Sequence, residues 1–259
     1  APRGHLGHRL RDHAGAAAES VDPITRAELG RRWAYRATVE WSAAHRFERL
    51  AVRLAAVGVA AELVAIARAA VRQEHAHVEL CAGLAARFGV GWSPGSRAVD
   101  AVAPPTWSAY DQVVYEVVAF CCVTETSNTA LVAGGLDAID DPEVARAARR
   151  ILADEVQHSR LGWQFLAMHP LDRAQATGLA AHLPIMLAGA VRVELFRPHA
   201  QVGDEATMAR FGSSPIVDRR ATFVDGMRAV LLPVLAAAGV DVAAGAALVD
   251  GLEAQARAA

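Results

Sequence analysis

Glu74-His75-Ala76-His77 and Glu155-Val156-Gln157-His158 each place a glutamate three residues ahead of a histidine. On a helix, positions three apart point the same way, so each pair can grip one ion from a single face. A helical bundle holds a pair of metal ions when two helices each carry this motif and two others each add a lone glutamate. The fold therefore turns on whether each motif has a partner glutamate at its own height.

The flanking sequence reads as helix. Ala and Arg dominate between apolar positions and β-branched runs are short. A first helix is expected from near Thr25, where Thr25-Arg26-Ala27-Glu28 has capping-box spacing, to Val57, with Trp33, Ala37, Ala44 and Phe47 on one face. Gly58 breaks it, and a second helix follows over Ala60 to Phe88. Residues 89–107 form a longer crossover connection closed by Pro104-Pro105. A third helix spans Ser108 to Ala138. Asp141-Pro142-Glu143 reads as N-cap, proline at the first helical position and a first-turn acid, opening a fourth helix that ends near Met168. Three more helical segments are expected near 172–197, 215–238 and 241–257, with Phe196 to Ser214 a polar break. The expected fold is all-α: an arm over 1–24, a four-helix bundle over 25–170, and C-terminal helices over 171–259 packed on it.

Heights along the helices follow from a rise of about 1.5 Å per residue. Measured from the turn at Gly58, Glu74 and His77 lie roughly 24–29 Å away and Glu40 about 27 Å away. From the turn near Asp140, Glu155 and His158 lie roughly 22–27 Å away and Glu125 about 22 Å away. Glu48, at about 15 Å, and Glu116, at about 36 Å, miss the motifs. The expected metal ligands are Glu40, Glu74, His77, Glu125, Glu155 and His158, and the two halves read as a diverged duplication of one helical hairpin. Four inward glutamates would be costly without compensation. The sequence contains no Lys to pair with them, whereas two divalent cations offset them in full. The oxygen and imidazole donors suit iron or manganese better than a thiolate-rich zinc site.

The remaining composition narrows the classes. The chain has 259 residues, 53% of them hydrophobic, with 26 basic and 28 acidic side chains, which argues against a nucleic-acid partner bound through a basic face. Absence of Lys excludes Schiff-base and P-loop chemistry. Cys81, Cys121 and Cys122 lack CxxC spacing and read as buried thiols in a reducing cytoplasm, lining the site rather than ligating. The first 20 residues carry no apolar h-region, so a cytoplasmic location is expected. The most apolar stretch, 229–249, is interrupted by Pro233, Gly239 and Asp241; core helices and no membrane span are expected. His75 is offset from the motif face. Glu194 and His182 on a tail helix are minor candidates for an added ligand or a pocket wall.

Over about residues 26–168 the chain resembles the ferritin-like di-iron carboxylate superfamily. Cys121-Cys122-Val123-Thr124-Glu125-Thr126 and Ala153-Asp154-Glu155-Val156-Gln157-His158 look like a bacterial ferritin-like group more than like ferritins themselves. The resemblance implies that Asp154 orients His77, that Gln73 does the same for His158, and that Thr129 stands near the open side of the metals, as in oxygen-activating monooxygenases. It implies two Fe ions, or a Mn/Fe pair, in an O2-dependent oxidoreductase that hydroxylates or N-oxygenates a small-molecule metabolite. An external electron donor is expected, and a homodimer fits. The alternative is a ferroxidase or peroxide scavenger without organic substrate. About 90 residues beyond the bundle and the lack of a rubredoxin-type CxxC weigh against it. The sequence is similar in part to arylamine N-oxygenases, which carry a further His where this chain has Ile151. Small residues at Ala44, Val118, Cys121, Cys122 and Gly162 are expected to leave space for substrate, with the tail helices as the remaining wall.

Overall fold

A computed structural model describes residues 20–96, 102–191, 195–196 and 202–258. Helices α1 (Pro23–Ala56), α2 (Ala61–Arg87), α3 (Ala109–Ala138) and α4 (Pro142–Met168) are followed by α5 (Arg173–Val191), the short α6 (Glu205–Arg210), α7 (216–237) and α8 (Ala243–Ala258). Among the described residues there is no strand. Most of the expected arm lies outside the described residues.

The start of α1 corrects the expected capping box. Asp22 is the N-cap: its carboxylate accepts from the amides of Ile24 and Thr25 at 3.0 Å, and Pro23 fills the first turn, where its missing N–H is no loss. Thr25 is instead fully buried and accepts from the Asp204 amide (2.8 Å), tying α1 to the start of α6. Glu28 pairs with Arg31 and Arg32.

Gly58, at φ +76°, reverses the chain between α1 and α2, a conformation that favours glycine. The two helices then pack along their length. Asp141 caps α4 as the sequence predicts, accepting from the Glu143 and Val144 amides. The same carboxylate receives both terminal nitrogens of Arg87 (2.8 and 2.6 Å), so the end of α2 is clamped to the start of α4. Further contacts join α2 to α4, α3 to α4, and α1 to α3, where the Phe47 and Phe120 rings meet at a tilt, centroids 4.5 Å apart. Glu116, which the height argument places off the motifs, binds Arg49 and Arg53 instead.

Within α3, Val117–Thr124 is wound as a π-helix. The Glu125 amide donates to Phe120 O and the Thr124 hydroxyl to Ala119 O, both five residues back. This wider turn ends where Glu125 begins, and π segments inside α-helices are frequent at functional sites. By length and composition α3 could cross a membrane, with mean hydropathy 1.3; 56% of that apolar stretch is buried inside the protein.

The tail departs from expectation in one element. Within the expected polar break, the described residues 202–214 include α6, with Met208 and Phe211 buried and Phe211 O accepting from the Trp33 indole (3.2 Å). Helix α7 packs on α3, α8 on α5 and α7, and α5 on α3. Gly239, at φ +90°, separates α7 from α8 within the apolar 229–249 stretch.

Candidate metal centre

All six expected ligands converge, and each is at most 2% exposed. Glu40 comes from α1, Glu74 and His77 from α2, Glu125 from α3, and Glu155 and His158 from α4. They form two overlapping clusters that could hold a metal ion: Glu40, Glu74, His77 and Glu155 in one, Glu74, Glu125, Glu155 and His158 in the other. Within each, the donor atoms all lie within 4.8 Å of one another.

Glu74 and Glu155 belong to both clusters and face both ways. Glu74 turns Oε2 to His77 Nδ1 (3.2 Å) and Oε1 to His158 Nδ1 (3.0 Å). Glu155 turns Oε1 to His77 Nδ1 (3.9 Å) and Oε2 to His158 Nδ1 (3.5 Å). Glu40 Oε2 stands 3.9 Å from His77 Nδ1, and Glu125 Oε2 stands 3.9 Å from His158 Nδ1.

The outer ring nitrogens fix which way the imidazoles work. His77 Nε2 donates to Asp154 Oδ2 (3.2 Å), and His158 Nε2 donates to Gln73 Oε1 (3.1 Å), since neither oxygen can donate in return. In a neutral imidazole this leaves the Nδ1 lone pair aimed at the carboxylates. Glu74 Oε1, Glu155 Oε2 and His158 Nδ1 are buried with no well-aligned hydrogen bond, although the first and last stand 3.0 Å apart. Lone pairs gathered this way repel unless a cation or protons lie between them. Asp154 and Gln73 thus hold the outer nitrogens of the two histidines.

Without a cation, protons carry the balance. Burial, then the charge of Glu155, raises Glu74 to about 7, and the same two causes push Glu125 well above the usual carboxylate range. Burial disfavours the imidazolium, but neighbouring carboxylates outweigh it and lift His77 to about 10 and His158 to about 9. Burial also works against a charged Glu40; Arg36 and His77 overcome it and hold that carboxyl at about 2. Metal binding would displace such protons.

Two partners escape the motif reading. Arg36 donates Nε to Glu40 Oε1 (3.0 Å), and Asn128 donates to Glu155 Oε1 (2.8 Å). Each was findable as a polar residue one turn from a ligand glutamate on its own helix. Arg150 likewise reaches Asp154 from one turn away (2.8 Å).

Other candidates have partners of their own. Thr129 is half-buried and donates to the Glu125 carbonyl (2.8 Å), an ordinary bond for a threonine inside a helix. His75 packs its ring against Trp41 and His45. His182 bonds Gly178 O and packs on Trp107 and Tyr115. Glu194 lies outside the described residues. Burial raises the thiols of Cys81, Cys121 and Cys122, keeping them protonated and poor as ligands.

The expected open space by Gly162 is filled. A Cβ there would meet Cys122 Sγ at 2.5 Å and Cys122 N at 2.9 Å, so the small residues serve close approach of α3 and α4. The room lies on the other side: a cavity of about 1010 Å³ reaches Glu40, Arg36, Asn128, Leu131 and Ile151, with Arg220 and Val224 of α7 across from them. The tail helices do supply a wall. Comparison with protein families, curated proteins and solved structures finds no match to this chain.

Proposed function

We propose that the chain is a ferritin-like four-helix bundle holding two iron ions, and that it uses O2 to hydroxylate or N-oxygenate a small molecule. The observation that carries this is the double-facing geometry of Glu74 and Glu155, each with one oxygen toward His77 and the other toward His158. Two carboxylates shared between two clusters suit two ions, with Glu40 completing one and Glu125 the other. The donors fit iron: carboxylate and imidazole with no thiolate, and four glutamates that two divalent cations neutralise. When bound, iron supplies the O2 chemistry that side chains lack, with electrons from an external donor.

The chain's own residues hold and shape the site. Asp154 and Gln73 fix both imidazoles with Nδ1 inward. Arg36 and Asn128 hold the carboxylates of Glu40 and Glu155 in place. Leu131, Val132 and Ile151 give the adjoining cavity an apolar wall close to Glu40. That cavity favours an organic substrate over iron storage.

The test is anaerobic loading with ferrous iron, a count of iron per chain, then O2 exposure followed optically and by Mössbauer spectroscopy. Two irons per chain that oxidise together on O2 are expected. No uptake, or one tight zinc indifferent to O2, overturns the reading.

A further inference from the structure

The cavity beside Glu40 has an unusual wall. Val39, Leu131, Val132, Ile151 and Val224 make much of it apolar, yet six arginines line it, against four carboxylates besides Glu40. Glu28 is shared between two of those arginines, Arg31 and Arg32, at 2.8 Å each.

Arg36 is the one of them that reaches a ligand glutamate. It bonds Glu40 through Nε alone, and its Nη2 is buried with no hydrogen-bond partner. Two divalent ions would neutralise Glu40, Glu74, Glu125 and Glu155 among themselves. The guanidinium charge of Arg36 would then be left over at the boundary between metal centre and cavity. With its side chain only 26% exposed, that partly desolvated charge is costly without a counter-charge, and a guanidinium is well suited to a planar or tetrahedral oxyanion. This step rests on the di-iron reading.

We propose that the cavity takes an amphipathic organic anion, an apolar body with one carboxylate or phosphate head, and that Arg36 pairs with the head beside Glu40. The apolar wall would take the body, and the arginines at the mouth would draw the anion in. Arg36 is here a binding residue that selects charge; it does not carry out the oxidation.

The test uses iron-loaded full chain, calorimetry, and three probes of one shape: 4-phenylbutanoate, 3-phenylpropyl phosphate and 4-phenylbutanamide. Wild type is expected to bind one of the anions about ten- to hundredfold more tightly than the amide, the range of a charge-assisted hydrogen bond. Whichever anion binds tighter assigns the head. Arg36→Gln should bring anion and amide to near parity with two irons still bound, and Arg36→Lys should keep part of the preference. Equal binding of anion and amide by iron-loaded wild type overturns the proposal. So does a preference that survives in Arg36→Gln, as it would if the carboxylate ligated iron directly. Should Arg36→Gln fail to fold, the wild-type comparison and Arg36→Lys decide. Failure of the wild type to load iron is read from the iron count and overturns the di-iron reading, and this proposal with it.

Discussion

Gln73 on α2 donates its amide to Asp154 on α4 (Nε2 to Oδ1, 3.0 Å), so the two groups that hold the outer nitrogens of His77 and His158 are themselves joined. The chain His158, Gln73, Asp154, His77 runs across the two helices that carry the motifs, and Arg150 steadies it from Asp154 Oδ2. Each imidazole is thus oriented by a residue on the opposite motif helix. Asp154→Ala should lower iron affinity about 10- to 100-fold, the usual loss when a ligand histidine loses its outer partner. Chelator competition measures it, with circular dichroism to confirm the helices persist. Unchanged affinity would mean that packing alone orients His77.

Much of this arrangement was legible in the sequence because helix rise is regular. The match of Glu40 to Glu74 and His77, and of Glu125 to Glu155 and His158, needed only turns near Gly58 and Asp140. Where backbone regularity breaks, the reading failed. The π-helix over Val117–Thr124 has no marker in an apolar run, although Glu125, which follows it, still joins the cluster. Asp22 won the N-cap over Thr25 because Thr25 is spent on α6, a contact nearly 180 residues away in sequence that local spacing cannot disclose. The cavity was placed wrongly for a similar reason. Small residues signal either space or close approach, and only the packing of Gly162 on Cys122 decides between them.

Glu155 is shared by both clusters, whereas Glu48 lies 56% exposed, 3.3 Å from His45 Nδ1 and outside both. Glu155→Ala should therefore weaken both ions, with the iron count falling from two per chain to below one. Glu48→Ala should leave it at two. Atomic absorption on dialysed protein gives the counts. Full occupancy in the Glu155 variant would sink the ligand assignment, and loss in the Glu48 variant would mean that the heights along α1 are misread.

Charge in the metal-free centre implies a pH dependence with a definite sign. Glu74 at about 7, His77 at about 10 and His158 at about 9 all sit above the ordinary values of 4.5 for a glutamate and 6.5 for a histidine. The folded form binds these protons more tightly than the unfolded chain, so stability is full at lower pH. It declines as pH rises through about 7 for Glu74 and through 9 to 10 for the histidines. Glu40, held at about 2, acts oppositely and loses its contribution as pH falls from 4.5 toward that value. Metal-free protein should thus be most stable near mildly acidic pH, and its Tm should fall as pH rises above neutrality. Iron-loaded protein should fall less, because ions replace the protons. Parallel Tm profiles for the two forms would refute the exchange of protons for metal.

Gly162 and Gly83 offer a paired test of close approach. Both are helical glycines, but a Cβ at 162 would lie 2.9 Å from the Cys122 backbone nitrogen, while one at 83 would meet nothing within 4 Å. Gly162→Ala must push α4 from α3 at the π segment, which is backbone and cannot swing aside. A loss of about 1–3 kcal/mol is expected, as for other overpacked cores. Gly83→Ala should gain about 0.5–1 kcal/mol from helix propensity alone. Denaturant unfolding of the two metal-free variants beside wild type reads both values without the contribution of bound iron. Because the strained contact lies one turn beyond His158 and one turn before Glu125, Gly162→Ala should also weaken the cluster holding Glu125 and His158 more than the one holding Glu40 and His77. Two equally depleted irons in that variant would show that the displacement is shared along α4 and not confined to its contact with α3.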